Sequence, residues 1–418
     1  MRAILSAPGS RGDVNPMVAI GRALKQRGMD VIISLAEPYA PVAEAAGLTA
    51  VPIITTARFE HLLGDANVWK PVRGARAIFR EVAGNFLTKH FDVIRQNHIA
   101  GQTVLVSHPL DLASRVHRDW DPATPLVDVH LAPSMLRTLD DPPRMTPWAI
   151  EHFGPQWLLR AAYWAADRFV IDPVIAGRVN QMRKDLRLAP VTRLIDQWWL
   201  SPDRILAMYP DWYAAATKSF GPRLMHCGFP LDDAVVDSAA DRTAQVLPSD
   251  RPIVFTAGTA HQHCREFFAD AVAACLAIDR PGWLVSSYPG NFPDQLPPSI
   301  QAHSYVSFGE LFPHASAVVH HGGIGTTSQA LAAGVPQLIQ PMAFDQFDNT
   351  NRVQRLNCGR WLRRPRHLAA ALQQLLDDES IQRSCRLVAD SMERGSPTVA
   401  ACEIHRLLCS TGSDGRLK

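Results

Sequence analysis

The chain's 418 residues exceed what one ordinary hydrophobic core holds, which implies two or three domains. Some 47% of residues are hydrophobic and 20% charged, with 42 Lys and Arg against 40 Asp and Glu, the composition of a soluble globular protein. That balance argues against nucleic acid as the main partner, because phosphate-backbone binding needs a clustered basic surplus. The richest basic run, Arg360 to His367, reads as a solvated surface turn. Seven cysteines stand singly without metal-ligand spacing, so reduced thiols in a cytoplasmic protein are expected rather than a disulfide frame or zinc site. The N-terminal strand runs directly into a loop of functional character, unlike a cleaved signal peptide, and no apolar run is long enough to cross a bilayer. A peripheral visit to the inner membrane face stays open.

In chain order, Arg2–Ser6 reads as a buried strand and Pro16–Gln26 as an amphipathic helix with Asn15 as N-cap. Strands follow at Asp30–Leu35, Thr103–Ser107 and Pro125–His130, with a helix near Tyr39–Ala46. From about Ala132 to Gln197, prolines and Trp148, Trp157 and Trp164 mark a loop-plus-helix insertion. Its stretch Trp157–Val174 is apolar at helical spacing, which favours core packing for most positions and leaves a greasy ligand cleft as the alternative. A second βα rhythm starts with Pro252–Thr256 and continues through Glu266–Ala277, Trp283–Ser287, Ala302–Val306, the strand at Ala317 and Pro336–Gln340. The fold class is α/β, with two Rossmann-like domains facing across a cleft and ligands at the carboxyl ends of their strands. The expected divisions are 1–230, a linker at 231–250, a second domain at 251–397, and a terminal helix and tail at 398–418 returning towards the first domain.

The segment Ala317-Val-Val-His-His-Gly-Gly-Ile-Gly-Thr-Thr327 is the most informative of the chain. A strand, a glycine-rich turn and a helix expected from about Thr327 bring N–H groups and the positive end of a helix dipole to one place, where an anion is favoured. His321, Thr326 and Thr327 add side-chain donors, so a phosphate or diphosphate is the natural ligand; a ligand-free turn is the alternative. In Gly9-Ser-Arg-Gly-Asp-Val-Asn-Pro16, Asp13 lies at the carboxyl end of the first strand. It has the chemistry to take a proton from an incoming nucleophile, or merely braces the loop. Asp345-Gln346 offers acceptors and an amide donor suited to a polyhydroxylated ring. His261 and His263 are spaced like a metal pair, but only Cys264 stands near them, and no metal is expected.

Together, His321-Gly-Gly-Ile-Gly-Thr326, Ala333-Gly-Val-Pro336 and Asp345-Gln346 resemble the donor signature of the GT-B fold nucleotide-sugar glycosyltransferases, the family of UDP-glucosyl and UDP-glucuronosyl transferases. The loop Gly9–Pro16 resembles its bacterial macrolide and glycopeptide branch and its sterol glucosyltransferases. Gln197-Trp198, Ser201-Pro202 and Cys227-Gly-Phe-Pro-Leu-Asp-Asp233 are similar to the rhamnosyltransferase of rhamnolipid synthesis. The resemblance implies Asp13 as general base and a diphosphate held by His321, Gly323, Gly325, Thr326, Gly258, Thr259 and Ser10. It further implies Tyr305 stacked on the base with the Val306 backbone beside it, and Asp345 and Gln346 on the sugar hydroxyls. His108 and Trp148 are the acceptor-side candidates.

Two departures stand out: Gln329 where many plant members have a ribose-binding Glu, and Ser307 where Pro is frequent, which leaves UDP and dTDP both open. The implied reaction is inverting, metal-independent transfer of a hexose from a nucleotide sugar to a hydrophobic small-molecule or lipid acceptor, with no further cofactor. A nucleotide-sugar epimerase or hydrolase, and a non-catalytic nucleotide-sugar or lipid-binding protein, are the alternatives. The acceptor-side carboxylate Asp13 favours the transferase.

Overall fold

The computed structural model describes residues 1–148, 154–215, 220–231, 247–258 and 261–414. It divides into two units: Met1–Pro143 with Trp148–Val236 and Gly395–Lys418, and Arg144–Pro147 with Asp237–Arg394.

The first unit is built on β1 (Arg2–Ala7), β2 (Asp30–Ala36), β3 (Thr49–Ile54), β4 (Thr103–Ser107), β5 (Leu126–His130), β6 (Arg204–Ala207) and β7 (Leu224–His226). These strands pair in parallel in the order β3-β2-β1-β4-β5-β6-β7. Every residue of β4 and β5 is buried, as a parallel sheet covered on both faces requires. The strand order reverses between β1 and β4, so the loops after these neighbours diverge and leave a crevice at their carboxyl ends. Helix α1 spans Arg11–Gln26, α2 Pro71–Glu81, α3 Gln156–Ala166 and α4 Asp172–Asp185. The terminal helix, Ser396–Asp414, packs on α1, buries Ala400, Ala401, Ile404 and Leu408, and pairs Glu403 with Arg204 of β6 at 2.8 Å.

The second unit has β8 (Ile253–Thr256), β9 (Gly282–Val285), β10 (Ile300–His303), β11 (Ala317–His320), β12 (Gln337–Ile339) and β13 (Gly359–Trp361), all parallel, in the order β10-β9-β8-β11-β12-β13. Its order reverses between β8 and β11. Helix α5 (Ile324–Ala332) follows β11, and α6 (Gln346–Arg355) follows β12. Arg144 is fastened within this unit: its N–H donates to Asp348 Oδ1 (2.9 Å) and its guanidinium lies 4.7 Å from the Trp361 ring.

Several expectations are corrected. Helix α1 starts at Arg11, not Pro16, because Ser10 and Asp13 form the effective cap and Pro16 is accommodated inside the helix. Helix α5 starts at Ile324, so Thr326 and Thr327 lie in its first turn. The strand expected at Ala302–Val306 is Ile300–His303, and part of the basic run at Arg360 is the edge strand β13. Core packing fails for the rings of the insertion: Trp157, Trp164 and Phe169 are exposed, while Leu159 and Ile171 are buried. Residues 232–246 of the expected linker, and Thr259, lie outside the described residues.

Candidate functional site

In the first unit, β1 and β4 deliver Asp13 and His108 to the point where the strand order reverses. Asp13 sits at the third position of α1 and folds back so that its Oδ2 accepts the Ser10 N–H at 2.9 Å. Only glycine fits at position 9, since a Cβ there would stand 1.9 Å from Oδ2. The other oxygen, Oδ1, meets His108 Nε2 at 3.2 Å. Leu110 donates its N–H to His108 Nδ1 (3.2 Å), which places the ring hydrogen on Nε2 and makes His108 the donor to Asp13. The His108 side chain is 8% exposed and that of Asp13 33%. The result is a carboxylate oriented from two sides, at the positive end of a helix, with part of its surface open.

In the second unit, β8 and β11 deliver Gly258 and His321 to the corresponding reversal. Gly258 has φ +83°, and a Cβ there would come 2.6 Å from the His321 ring. The ring is thus wedged between the Gly258 turn and Gly323, the N-cap of α5. Desolvation pushes the His321 pKa down to about 4, so the imidazole is neutral at pH 7, and its Nδ1 has no partner among the described residues. The N–H groups of Ile324, Gly325 and Thr326 begin α5 without intrahelical acceptors. Gly325 is exposed beside them. The Thr327 hydroxyl is buried and likewise without a partner.

The adjacent His320 does a different job. Its Nδ1 accepts the Gly322 N–H (3.1 Å) and its Nε2 meets Gln337 Oε1 (2.9 Å), which pins the turn. His261 packs edge-on to His321 with ring centroids 6.4 Å apart. A void of about 30 Å³ lined by Ala257, Cys264, Phe267, His321, Gln340 and Met342 has room for a water molecule, not a diphosphate.

The β12 loop is tied to this turn by a residue that sequence reasoning missed. Asn349 donates through Nδ2 to the Gly322 carbonyl (2.9 Å) and to Asp345 Oδ2 (2.7 Å). Its position four residues after Asp345, on the same helix face, was the available signal. Gln346 is buried, and its Oε1 accepts the N–H groups of Met342 (2.8 Å) and Ala343 (3.0 Å), so its oxygen shapes the loop. Tyr305 is half-buried, and the Val306 side chain belongs to the hydrophobic core of this unit. Ser10 has its N–H committed to Asp13, and Trp148 is 67% exposed. The Trp198 and Ser201 motifs are internal pins: Trp198 Nε1 donates to Asp119 (2.6 Å), and Ser201 N–H donates to the buried Asp128.

Residues 3–92 match the glycosyltransferase family 28 N-terminal domain, and residues 290–407 match the erythromycin biosynthesis protein CIII-like C-terminal domain. The chain is 38% identical to a sterol 3-beta-glucosyltransferase of Cryptococcus neoformans var. neoformans over 26% of its own length and only 7% of that protein's. It is 25% identical to the vancomycin aglycone glucosyltransferase of Amycolatopsis orientalis over 96% of this chain and 100% of that one. The spinosyn rhamnosyltransferase SpnG, solved with thymidine diphosphate, superposes with a TM-score of 0.66 at 18% identity, covering 96% and 100% of the two chains. Two parallel α/β units, the second with a strand–glycine turn–helix segment where its strand order reverses, define the class, the GT-B fold. Within that class, the two domain matches and the bacterial relatives support a glycosyltransferase of the bacterial branch.

Proposed function

We propose that the protein transfers a hexose from a UDP- or dTDP-sugar to a hydroxyl of a hydrophobic natural-product or lipid acceptor, with inversion at the anomeric carbon. Asp13 takes the proton of the acceptor hydroxyl as its oxygen attacks that carbon, and the bond to the leaving diphosphate breaks. The charge that develops on the diphosphate is met by the Ile324, Gly325 and Thr326 N–H groups and by the imidazole of His321, donors already in position before reaction. Asp345 and the Gln346 amide group receive the sugar hydroxyls, Tyr305 the base, and this donor set calls on no divalent cation. His108 orients Asp13. The sterol and vancomycin-aglycone relatives support a hydroxylated, largely apolar acceptor, and the neighbour solved with thymidine diphosphate supports a dTDP donor.

The observation that carries this reading over a binding protein is the Asp13 carboxylate, fixed by Ser10 and His108 yet 33% accessible. Asp13→Asn keeps an oxygen for the Ser10 N–H but cannot serve as a base. Transfer should fall by about 100-fold or more, while the affinity for nucleoside diphosphate, read by calorimetry, stays within about twofold, since only the proton acceptor is removed. Near-normal turnover in Asp13→Asn, or an equal loss of nucleotide affinity, sinks the assignment. The assay pairs a panel of nucleotide sugars with sterol, phenol and hydroxy-fatty-acid acceptors, read by mass spectrometry.

A further inference from the structure

Helix α3 leaves a row of aromatic rings in solvent. Trp157 is 67% exposed, Trp164 47% and Phe169 60%, in a protein whose other large side chains are mostly buried. Trp157 and Trp164 are two helical turns apart and so share one face, with exposed Arg160 between them and Arg168 one turn beyond. Trp164 meets Phe169 edge-on at 5.7 Å, and the Arg168 guanidinium lies 5.7 Å from the Phe169 ring. The opposite side is anchored: Leu159 is buried, Tyr163 lies under Arg137 at 4.9 Å, and Arg137 pairs with the buried Asp167 at 2.6 Å. The rings therefore cannot turn inwards.

The surroundings are basic. Arg76 of α2 reaches the Phe169 carbonyl at 3.5 Å, and exposed Arg73 and Arg80 share its helix face, while Arg178 on α4 is also exposed. The carboxylates on these segments are withdrawn, save Asp185 at the far end of α4, which is exposed beside Lys184. Asp167 is buried in its ion pair, Asp172 accepts the Arg193 and Leu194 N–H groups, and Glu81, the only acid of α2, is held by Arg58. Between residues 154 and 180, as on α2, no carboxylate is exposed. The chain as a whole is nearly neutral, so this concentration is local.

We propose that this face of α2, α3 and α4 docks on the surface of an anionic lipid bilayer, with Trp157, Trp164 and Phe169 at the acyl boundary and the arginines among the headgroups. Rings that are 47% to 67% exposed are not enclosed as a small-molecule pocket would enclose them. A two-fold contact between copies would set the same arginines against one another. Amphipathic Trp rings ringed by arginines match the interfacial layer of a membrane, and phospholipid phosphates supply the counter-charge that the protein does not. The surface requires nothing of the transfer reaction itself.

The test is flotation of the full chain with phosphatidylcholine vesicles, with and without phosphatidylglycerol, at low and high salt. The intact protein should float with the anionic vesicles at low salt only. Arg160→Glu with Arg168→Glu should weaken binding by about fivefold or more per arginine, since each change reverses a charge, and Trp157→Ser with Trp164→Ser by about tenfold or more. Both double variants should keep the parent's melting temperature and nucleotide affinity, because the altered side chains are solvent-exposed. Failure to float at low salt, or flotation unchanged in both variants, overturns the proposal. So does light scattering that finds a dimer which the Trp double variant dissolves.

Discussion

The glycine turn carries two consecutive histidines, and their surroundings divide the labour between them. His320 uses both ring nitrogens inside the fold, whereas His321 Nδ1 has no partner among the described residues. Sequence reasoning singles out His321 as the diphosphate donor but gives His320 no role, since alternation along a strand places neighbours on opposite faces without saying what the second one holds. His321→Ala should weaken nucleoside diphosphate binding by about 10- to 100-fold, the value of a hydrogen bond to a charged group, and slow transfer as well. His321→Asn, whose amide nitrogen falls near the Nδ1 position, should recover part of both. The pH dependence has a definite sign. An imidazole held at about 4 when free is driven up by a bound diphosphate, so binding takes up a proton and tightens as pH falls from 7 towards 5. Calorimetry should show that slope to be shallower in His321→Asn; an identical slope, or unchanged turnover in His321→Ala, removes His321 from the leaving-group role.

At the scale of elements, the proposed donor half-site is two loops joined by one side chain. Asn349 bridges the Gly322 carbonyl and Asp345 from the first turns of α6, and it is fully buried. Asn349→Ala leaves a buried carbonyl without its donor and releases Asp345. It should cost about 1–3 kcal/mol of stability and weaken nucleotide-sugar affinity more than nucleoside-diphosphate affinity, because Asp345 is assigned to the sugar. Equal affinities in parent and variant would show the bridge to be dispensable. Such cross-loop ties are hard to read in a sequence, because the two partners are 27 residues apart and neither is apolar. Strands were legible where buried apolar runs were long, as at Arg2–Ala7 and Asp30–Ala36. They were missed where three or four residues begin or end with a charged or polar side chain, as at Arg204–Ala207, Leu224–His226 and Gly359–Trp361. The start of α1 was misjudged because two cap signals lie five residues apart, Ser10 and Asn15. The first prevails through the Asp13 carboxylate that accepts its N–H.

For the molecule as a whole, buried histidines set the response to acid. In the second unit His261 and His320 are pushed down to about 3 and His321 to about 4; in the first, His117 is at about 4 and His130 at about 3, all chiefly by burial. Each binds its proton near pH 6.5 once unfolded but not while folded. Folding stability is therefore complete above pH 6.5 and falls as the pH drops below it, by up to about 1.4 kcal/mol per pH unit for each histidine. Asp128 of the first unit works in the opposite sense. Burial raises it to about 7, so between pH 7 and its unfolded value near 3.8 the folded form holds the extra proton and gains stability on acidification. Among the described residues, the first unit thus sets buried carboxylates with raised pKa, Asp128 and Asp167, against its two histidines, whereas the second has His303 lowered as well and no carboxylate raised. Scanning calorimetry between pH 7 and 5 should show the second unit's transition moving down more steeply with acid than the first's. Nucleoside diphosphate identifies that transition as the one it raises, since a ligand stabilises the unit that binds it. If the nucleotide-shifted transition proves the less acid-sensitive of the two, the neutral, desolvated state assigned to His261, His320 and His321 is wrong, and with it the charge balance of the proposed diphosphate cradle.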